Sequence, residues 1–198
     1  MRNFSFIILV FVFVGCQNSE QQDKFAFSKE TEINSILKTI IYNDGIPLFK
    51  QSDSISLCAE LNKLEILVAK YPKLGDVVTI SLEQNKVNIQ NLLFDKKRFF
   101  AEKDSVFLLS QNRVLKSFTI DGNLFDKVKI ITRKEIDSSK KYSTRYYEIS
   151  IPIFSKDNTK AYVEVNKHIK SFGSGYIVYL EKINEKWRII SKRRTWIT

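Results

Sequence analysis

One histidine, two cysteines, one methionine, three prolines and six glycines stand among 198 residues. A zinc centre takes three or four His, Cys or carboxylate ligands. With His168 as the sole imidazole and Cys16 and Cys58 as the only thiols, no metal site is expected. Two cysteines exclude a disulfide-rich scaffold, and so little glycine and proline excludes collagen-like and low-complexity chains. Gly173-Ser174-Gly175 lacks the third glycine of a dinucleotide loop and the Gly-Lys-Ser/Thr of a phosphate loop, so no cofactor is expected. It reads instead as a tight turn or bulge ahead of a strand. No Gly-x-Ser-x-Gly elbow occurs, and nothing places a nucleophile near His168, which reads as a loop residue. No catalytic residue can be assigned. Internal repeats, low-complexity tracts and a second-domain linker are also missing.

What is there suffices for one folded domain: 43% of residues are hydrophobic and 13% aromatic. A chain of this size can bury about 70% of its unfolded surface without staples. The amino terminus differs from the rest. Arg2 is followed by an apolar run from Phe4 to Val14, interrupted only by Ser5, and then by Gly15-Cys16. Eleven helical residues would span about 17 Å, roughly half a bilayer core, too short for a transmembrane helix. A basic start, a short apolar stretch and a small residue before a cut make a signal peptide. Phe13-Val14-Gly15-Cys16 resembles the lipobox of bacterial lipoproteins, in which the cysteine is acylated and becomes the new amino terminus. The resemblance implies a signal peptide over 1–15, a lipid anchor on Cys16 and a membrane as partner. Gln17 beside the anchor resembles the sorting pattern for the outer membrane. Residues 16–27 are polar and aperiodic and read as a lipidated tether, leaving 28–198 as a single domain.

From Ser28, a plausible cap, Ile33, Ile36, Leu37, Ile40 and Ile41 recur at helical spacing and predict a helix over 29–42. Leu57, Leu61, Leu64 and Val68 predict a second helix over 56–70, with Cys58 packed beside its apolar stripe and Pro72 beyond its end. Val77 to Ile80 form a short β-rich run that Val87 to Phe94 continues. Helical character returns over 99–112. Residues 114–136 read as strand or irregular structure, broken at Asp121-Gly122-Asn123.

Over the last third Tyr147, Ile149, Ile151 and Ile153 alternate with Tyr146, Glu148, Ser150 and Pro152. A turn-rich Ser155 to Lys160 leads to a second alternation of Ala161, Val163 and Val165 with Tyr162, Glu164 and Asn166, so the two runs predict a hairpin. Further strands follow at 176–183 and 187–191 and at the terminal Thr195-Trp196-Ile197. Helices first and strands last predict an α+β fold, with N-terminal helices packed on a curved C-terminal antiparallel sheet over 145–197. Its core should hold Ile149, Ile151, Val163, Val165, Leu180, Trp187 and Ile189.

The same third carries a resemblance. Ser150-Ile151-Pro152-Ile153-Phe154-Ser155-Lys156-Asp157, Ala161-Tyr162-Val163, Gly173-Ser174-Gly175, Leu180-Glu181-Lys182, Trp187-Arg188-Ile189 and Trp196-Ile197 fit one pattern. It is that of a family of uncharacterised secreted lipoproteins common in Bacteroidota. Phe100 to Gln111, with Asp104 and Gln111, is similar to a helical segment that precedes the sheet there. Many relatives carry two cysteines ahead of Gly-x-Gly, where this chain has Lys167 to Phe172. The resemblance implies an envelope lipoprotein with no assigned activity, and a helix-then-sheet order similar to nuclear transport factor 2-like cones. That fold hosts enzymes and inert modules alike.

Two groups of residues are candidates for function. Strand parity puts Glu148 and Glu164, with Tyr146 and Tyr162, on the face opposite the Ile/Val stripe, and His168, read as a loop residue, is the one imidazole that could join them. Paired carboxylates can split their pKa values and work as acid and base, but a polar outer face on an amphipathic hairpin is also what solvent exposure predicts. The second group is Lys182, Lys186, Arg188, Lys192, Arg193 and Arg194, interleaved with Trp187 and Trp196, which could hold an anionic polymer. An envelope address speaks against nucleic acid. The expectation is a non-enzymatic binding or interaction module for an envelope protein, a small ligand or an anionic polymer. The alternative is an enzyme with an acid/base pocket on the sheet face.

Overall fold

The computed structural model describes residues 17–42, 56–68, 85–94, 99–114, 116–126, 128–139, 145–169 and 172–198. The expected signal peptide, Cys16 and the strand expected near 77–80 lie outside them. The chain divides into two compact units, 1–32 and 33–198. Helix α1 (Gln17–Tyr42) runs across the boundary, so Ser28, expected as its cap, lies inside it, and residues 17–27, expected as an aperiodic tether, are helical.

The strands of the second unit are β1 (Ser56–Cys58), β2 (Glu65–Leu67), β3 (Lys86–Asn88), β4 (Ile130–Ile131), β5 (Arg145–Ile149), β6 (Ile153–Phe154), β7 (Lys160–Ile169), β8 (Phe172–Ile183) and β9 (Lys186–Ile197). Seven of them form one sheet of order β4-β1-β5-β7-β8-β9, with β6 also beside β7. β1 runs parallel to β4 and β5, and every other pairing in that sheet is antiparallel. A small parallel pair, β2 and β3, stands apart from it. The short helices are α2 (Ile89–Phe94), α3 (Ser105–Ser110) and α4 (Arg133–Ser138). The protein is thus α+β, with a large, mostly antiparallel sheet.

The helix expected over 56–70 does not form in its described part, residues 56–68. Leu57 and Leu61 pack in one apolar cluster, Leu64 and Ile66 in another, and Val68 is exposed, so the leucine spacing traces a chain passing from one face of the sheet to the other. β1 lies between two parallel neighbours and is buried on both faces, so it shows no alternation. Cys58 is therefore on an interior strand. The continuation expected over 87–94 is strand only to Asn88 and then becomes α2. The helix expected over 99–112 is broken into a 3-10 turn (Glu102–Asp104), α3 and a second 3-10 turn (Gln111–Arg113). Over 114–136 the chain is largely irregular, with a 3-10 turn at Gly122–Leu124, and ends in β4 and the start of α4.

The stripe Ile33, Ile36, Leu37, Ile40 and Ile41 packs against Ile149, Ile151, Val163, Val165, Leu180 and Trp187, all buried, with Ile189 partly buried beside them. This is the expected core. Ile153 departs from it. Between Ile149, opposite Val165, and Ile153, opposite Tyr162, the β5–β6 side has one residue more than β7. Such an insertion reverses parity, and Ile153 joins the cluster on the opposite face. That face, expected to meet solvent, is covered. Leu64, Ile66, Val87, Leu92, Phe99, Phe100 and Leu108 pack over Ile153, Tyr162, Ile177 and Tyr179. Two side-chain amides fasten this cover. Gln111 donates to Phe154 O (2.9 Å) and accepts from Phe154 N (3.0 Å). Asn112 does the same with Ile66, at 2.8 Å each way.

Candidate functional site

The second face has a polar end as well as an apolar one. Tyr146 lies directly opposite His168, and Glu148 opposite Asn166. Glu148 is only 9% exposed. Its carboxylate accepts from Arg133 Nη1, from Asn62 Nδ2 at 3.2 Å and from His168 Nε2 at 3.2 Å. Arg133 Nη2 donates to Asn62 Oδ1 at 3.0 Å, so that four side chains are linked around one carboxylate. Burial pushes the Glu148 carboxyl up, but hydrogen bonds from His168 and Arg133, and their charges, bring it down to about 2. An ionised carboxylate can only accept, so His168 carries a proton on Nε2. Desolvation pushes Arg133 down, and the Glu148 hydrogen bond and charge more than offset it.

Local structure delivers Arg133 to this cluster. Thr132 caps α4 by accepting from Glu135 N (3.2 Å), while Glu135 Oε2 accepts from Thr132 N (2.6 Å), the reciprocal capping box of a Thr-x-x-Glu sequence. Arg133 N in turn donates to Glu60 Oε2 at 2.8 Å. Neither Arg133 nor Asn62 was a candidate from the sequence. Thr132-x-x-Glu135 was the signal that could have shown a helix starting there. Asn62 has no local signal, because only the fold brings it to Glu148.

A row of rings crosses three strands beside the ion pair. Tyr146 stacks on His168 with centroids 4.7 Å apart and planes at 16°, and the Trp196 ring lies 6.3 Å from His168. Trp196 Nε1 donates to Asn166 Oδ1 at 3.2 Å. The indole lies across Gly173 and Gly175 of β8, where a Cβ would come within 2.7 Å and 2.0 Å of it. The Gly-Ser-Gly triplet is therefore not a turn ahead of a strand. It is strand, and its missing side chains make the bed for Trp196. His168, likewise, is in β7 rather than a loop.

Glu164 sits diagonally from Glu148, a relation that places such pairs about 7–8 Å apart. Tyr162 OH donates to it at 2.7 Å. Burial raises the Glu164 carboxyl, against the lowering effect of that hydrogen bond, and burial raises the Tyr162 phenol well above its ordinary range. The two carboxylates do part in acidity as the sequence suggested, but each has its own partners. Tyr162 lies under the apolar cover, with Tyr146, Glu148 and His168 forming the polar end. Cys58 packs with Ile131, Ile136 and Tyr146, and burial pushes its thiol up to about 11, so it is an inert packed side chain.

The C-terminal basic residues do not form one patch, because β9 alternates. Lys182, Lys192 and Arg194 lie over Trp187 and Tyr176 on the α1 face. Lys186, Arg188 and Arg193 pair with Ile183, Glu181 and Ile177 and belong to the other face.

Among the described residues no three His, Cys, Asp or Glu side chains are grouped to hold a metal ion, and no helix is long and apolar enough to cross a membrane. Fold and site together define an α+β protein whose sheet buries a triply hydrogen-bonded carboxylate beside a row of rings. No family model, curated protein or solved structure matches the chain.

Proposed function

We propose that the chain is a cell-envelope lipoprotein, held at the outer membrane through acylated Cys16, whose folded part is a non-enzymatic binding or interaction module. The observation that carries the second half is the state of Glu148. A general base must have a free lone pair within reach of substrate, and three of the roughly four acceptor sites of this buried carboxylate are taken by Arg133, Asn62 and His168. What is left open at that end is the half-buried row of Tyr146, His168 and Trp196, with Arg133 at its rim. Aromatic side chains with one polar edge supply contact area at low entropic cost. The first half rests on Arg2, the apolar run and Gly15-Cys16, and on the resemblance of the C-terminal third to secreted lipoproteins of Bacteroidota. A nuclear transport factor 2-like cone is the finer fold proposal, supported by the helix-then-sheet order alone, and the strands found in place of a helix at 56–70 weigh against it.

Mass spectrometry of the native protein should find an acylated amino-terminal Cys16, and an unmodified chain would overturn the anchor. Capture from detergent-solubilised envelopes with the full chain should recover a partner that is lost with the His168→Ala, Trp196→Ala double variant. Equal recovery by both chains would refute the ring row as contact surface. The rival reading, an enzyme using the sheet face, has the divergent acidities of Glu148 and Glu164 in its favour. It requires a turnover that Glu164→Gln abolishes.

A further inference from the structure

The α1 face of the sheet carries a group of cations that no carboxylate among the described residues pairs. Between Gly175 and Tyr176 the β8–β9 register shifts: Gly175 faces Trp196, but Tyr176 faces Arg194. The extra residue, Thr195, sends its two neighbours to opposite faces, where an unbroken strand would keep them on one. Trp196 goes to the glycine bed and Arg194 to Tyr176.

At that ring β8 and β9 meet, and β7 lies alongside. Arg194 lies 5.5 Å from the Tyr176 ring centroid and its Nη2 donates to Tyr176 OH at 3.3 Å. Lys192 Nζ is 5.0 Å from the same centroid. One strand over, Lys167 Nζ lies 5.7 Å from the Tyr147 ring, and Ser174, opposite Lys167, stands two residues before Tyr176 on β8 and shares its face. Among the described residues the ion pairs do not include Lys167, Lys192 or Arg194, in contrast to Arg133, which has Glu148. Like charges gathered on one surface repel; the Tyr176 ring and hydroxyl offset part of that repulsion, and a bound anion would offset more of it.

We propose that Lys167, Ser174, Tyr176, Lys192 and Arg194 form a binding site for a phosphate-bearing ligand. Three cations exceed what a single carboxylate can match. A tetrahedral phosphate takes the arginine fork, the lysine point charges and the two hydroxyls together. The site is independent of the ring row on the opposite face, and its outcome leaves that reading untouched.

The test is calorimetric titration of the detergent-solubilised full chain at 0.05 M salt, with inorganic pyrophosphate in one arm and glycerophosphoglycerol, a lipid headgroup without its chains, in the other. Saturable binding in the first arm assigns a free phosphate, and saturable binding in the second a headgroup; either supports the site. Lys192→Gln with Arg194→Gln should weaken binding at least about tenfold, and Lys167→Gln, on a different strand, should weaken it as well. Lys186→Gln with Arg188→Gln removes the same charge from the other face and should leave affinity within about twofold. No saturable binding in either arm, or equal losses for the two double variants, would overturn the proposal.

Discussion

The two faces of the C-terminal sheet are both covered, yet they are built on different terms. Over Ile149, Val163 and Leu180 the α1 face is an apolar layer that a helix closes with one stripe of Ile and Leu, and the cations stand at its margin. The opposite face is closed in two parts: short helices, turns and the β2–β3 pair cover Tyr162, Ile177 and Tyr179, and a cluster of four polar side chains closes the end at Glu148. An apolar layer tolerates repacking at modest cost, whereas a buried carboxylate tolerates no missing partner. The second face therefore holds the features on which small changes act most specifically.

If both faces are cores, truncation should hurt equally on either. Phe100→Ala, removing a fully buried ring from the second face, should cost about 3–5 kcal/mol, matching the roughly 2–5 kcal/mol expected for Leu180→Ala on the first. Urea unfolding of the full chain measures both, and a loss below about 1 kcal/mol for Phe100→Ala would mean that the second face is wet.

The polar cluster should show the asymmetry of ion pairs. Arg133→Met strands a buried carboxylate, and because the arginine is itself about a third exposed, the loss is expected near ~2 kcal/mol rather than the roughly 3–5 of a fully buried pair. Adding Glu148→Gln should recover part of it, since the orphaned charge is gone. Additive losses in this double-mutant cycle would show that the two groups do not interact.

Of similar or smaller size is the effect at the glycine bed. Gly175→Ala places a methyl where the indole of Trp196 lies and should cost about 1–3 kcal/mol. Its distinguishing readout is the emission of Trp196, which should shift to longer wavelength as the ring leaves Asn166. An unchanged emission spectrum in a chain whose Trp187 has been replaced by Phe would refute that packing.

The contrast between faces also explains what could be read in the sequence. Ile149, Val163 and Leu180 announced their face because alternation and apolarity coincide there. Tyr162, Glu148 and Glu164 were placed on the correct side, but period-2 alternation says which face a residue is on and not whether something covers it. The cover comes from Leu64, Val87 and Leu108, distant in sequence, and burying amphipathic tyrosines needs no extra hydrophobic signal. Leu57 to Leu64 misled because helical spacing arises equally when a chain threads from one core to another. Arg133 was missed with its helix, and the six C-terminal basic residues were read as one patch because register shifts and the alternation of a strand are invisible in a charge count.

Whether Glu148 is an ionised structural carboxylate held by Arg133, Asn62 and His168 is decided most directly by its titration in carboxyl 13C NMR. Its native pKa, about 2, lies below the ordinary 4.5. Stability from this group should be complete above the ordinary value and drain away as pH falls from about 4.5 toward 2, by up to ~3 kcal/mol. Glu164 should titrate above the ordinary carboxylate range in the same experiment. A Glu148 midpoint near 2 is the expected result. A midpoint at or above 4.5 would contradict it, because it would leave a carboxylate free to take up and release protons on the sheet face.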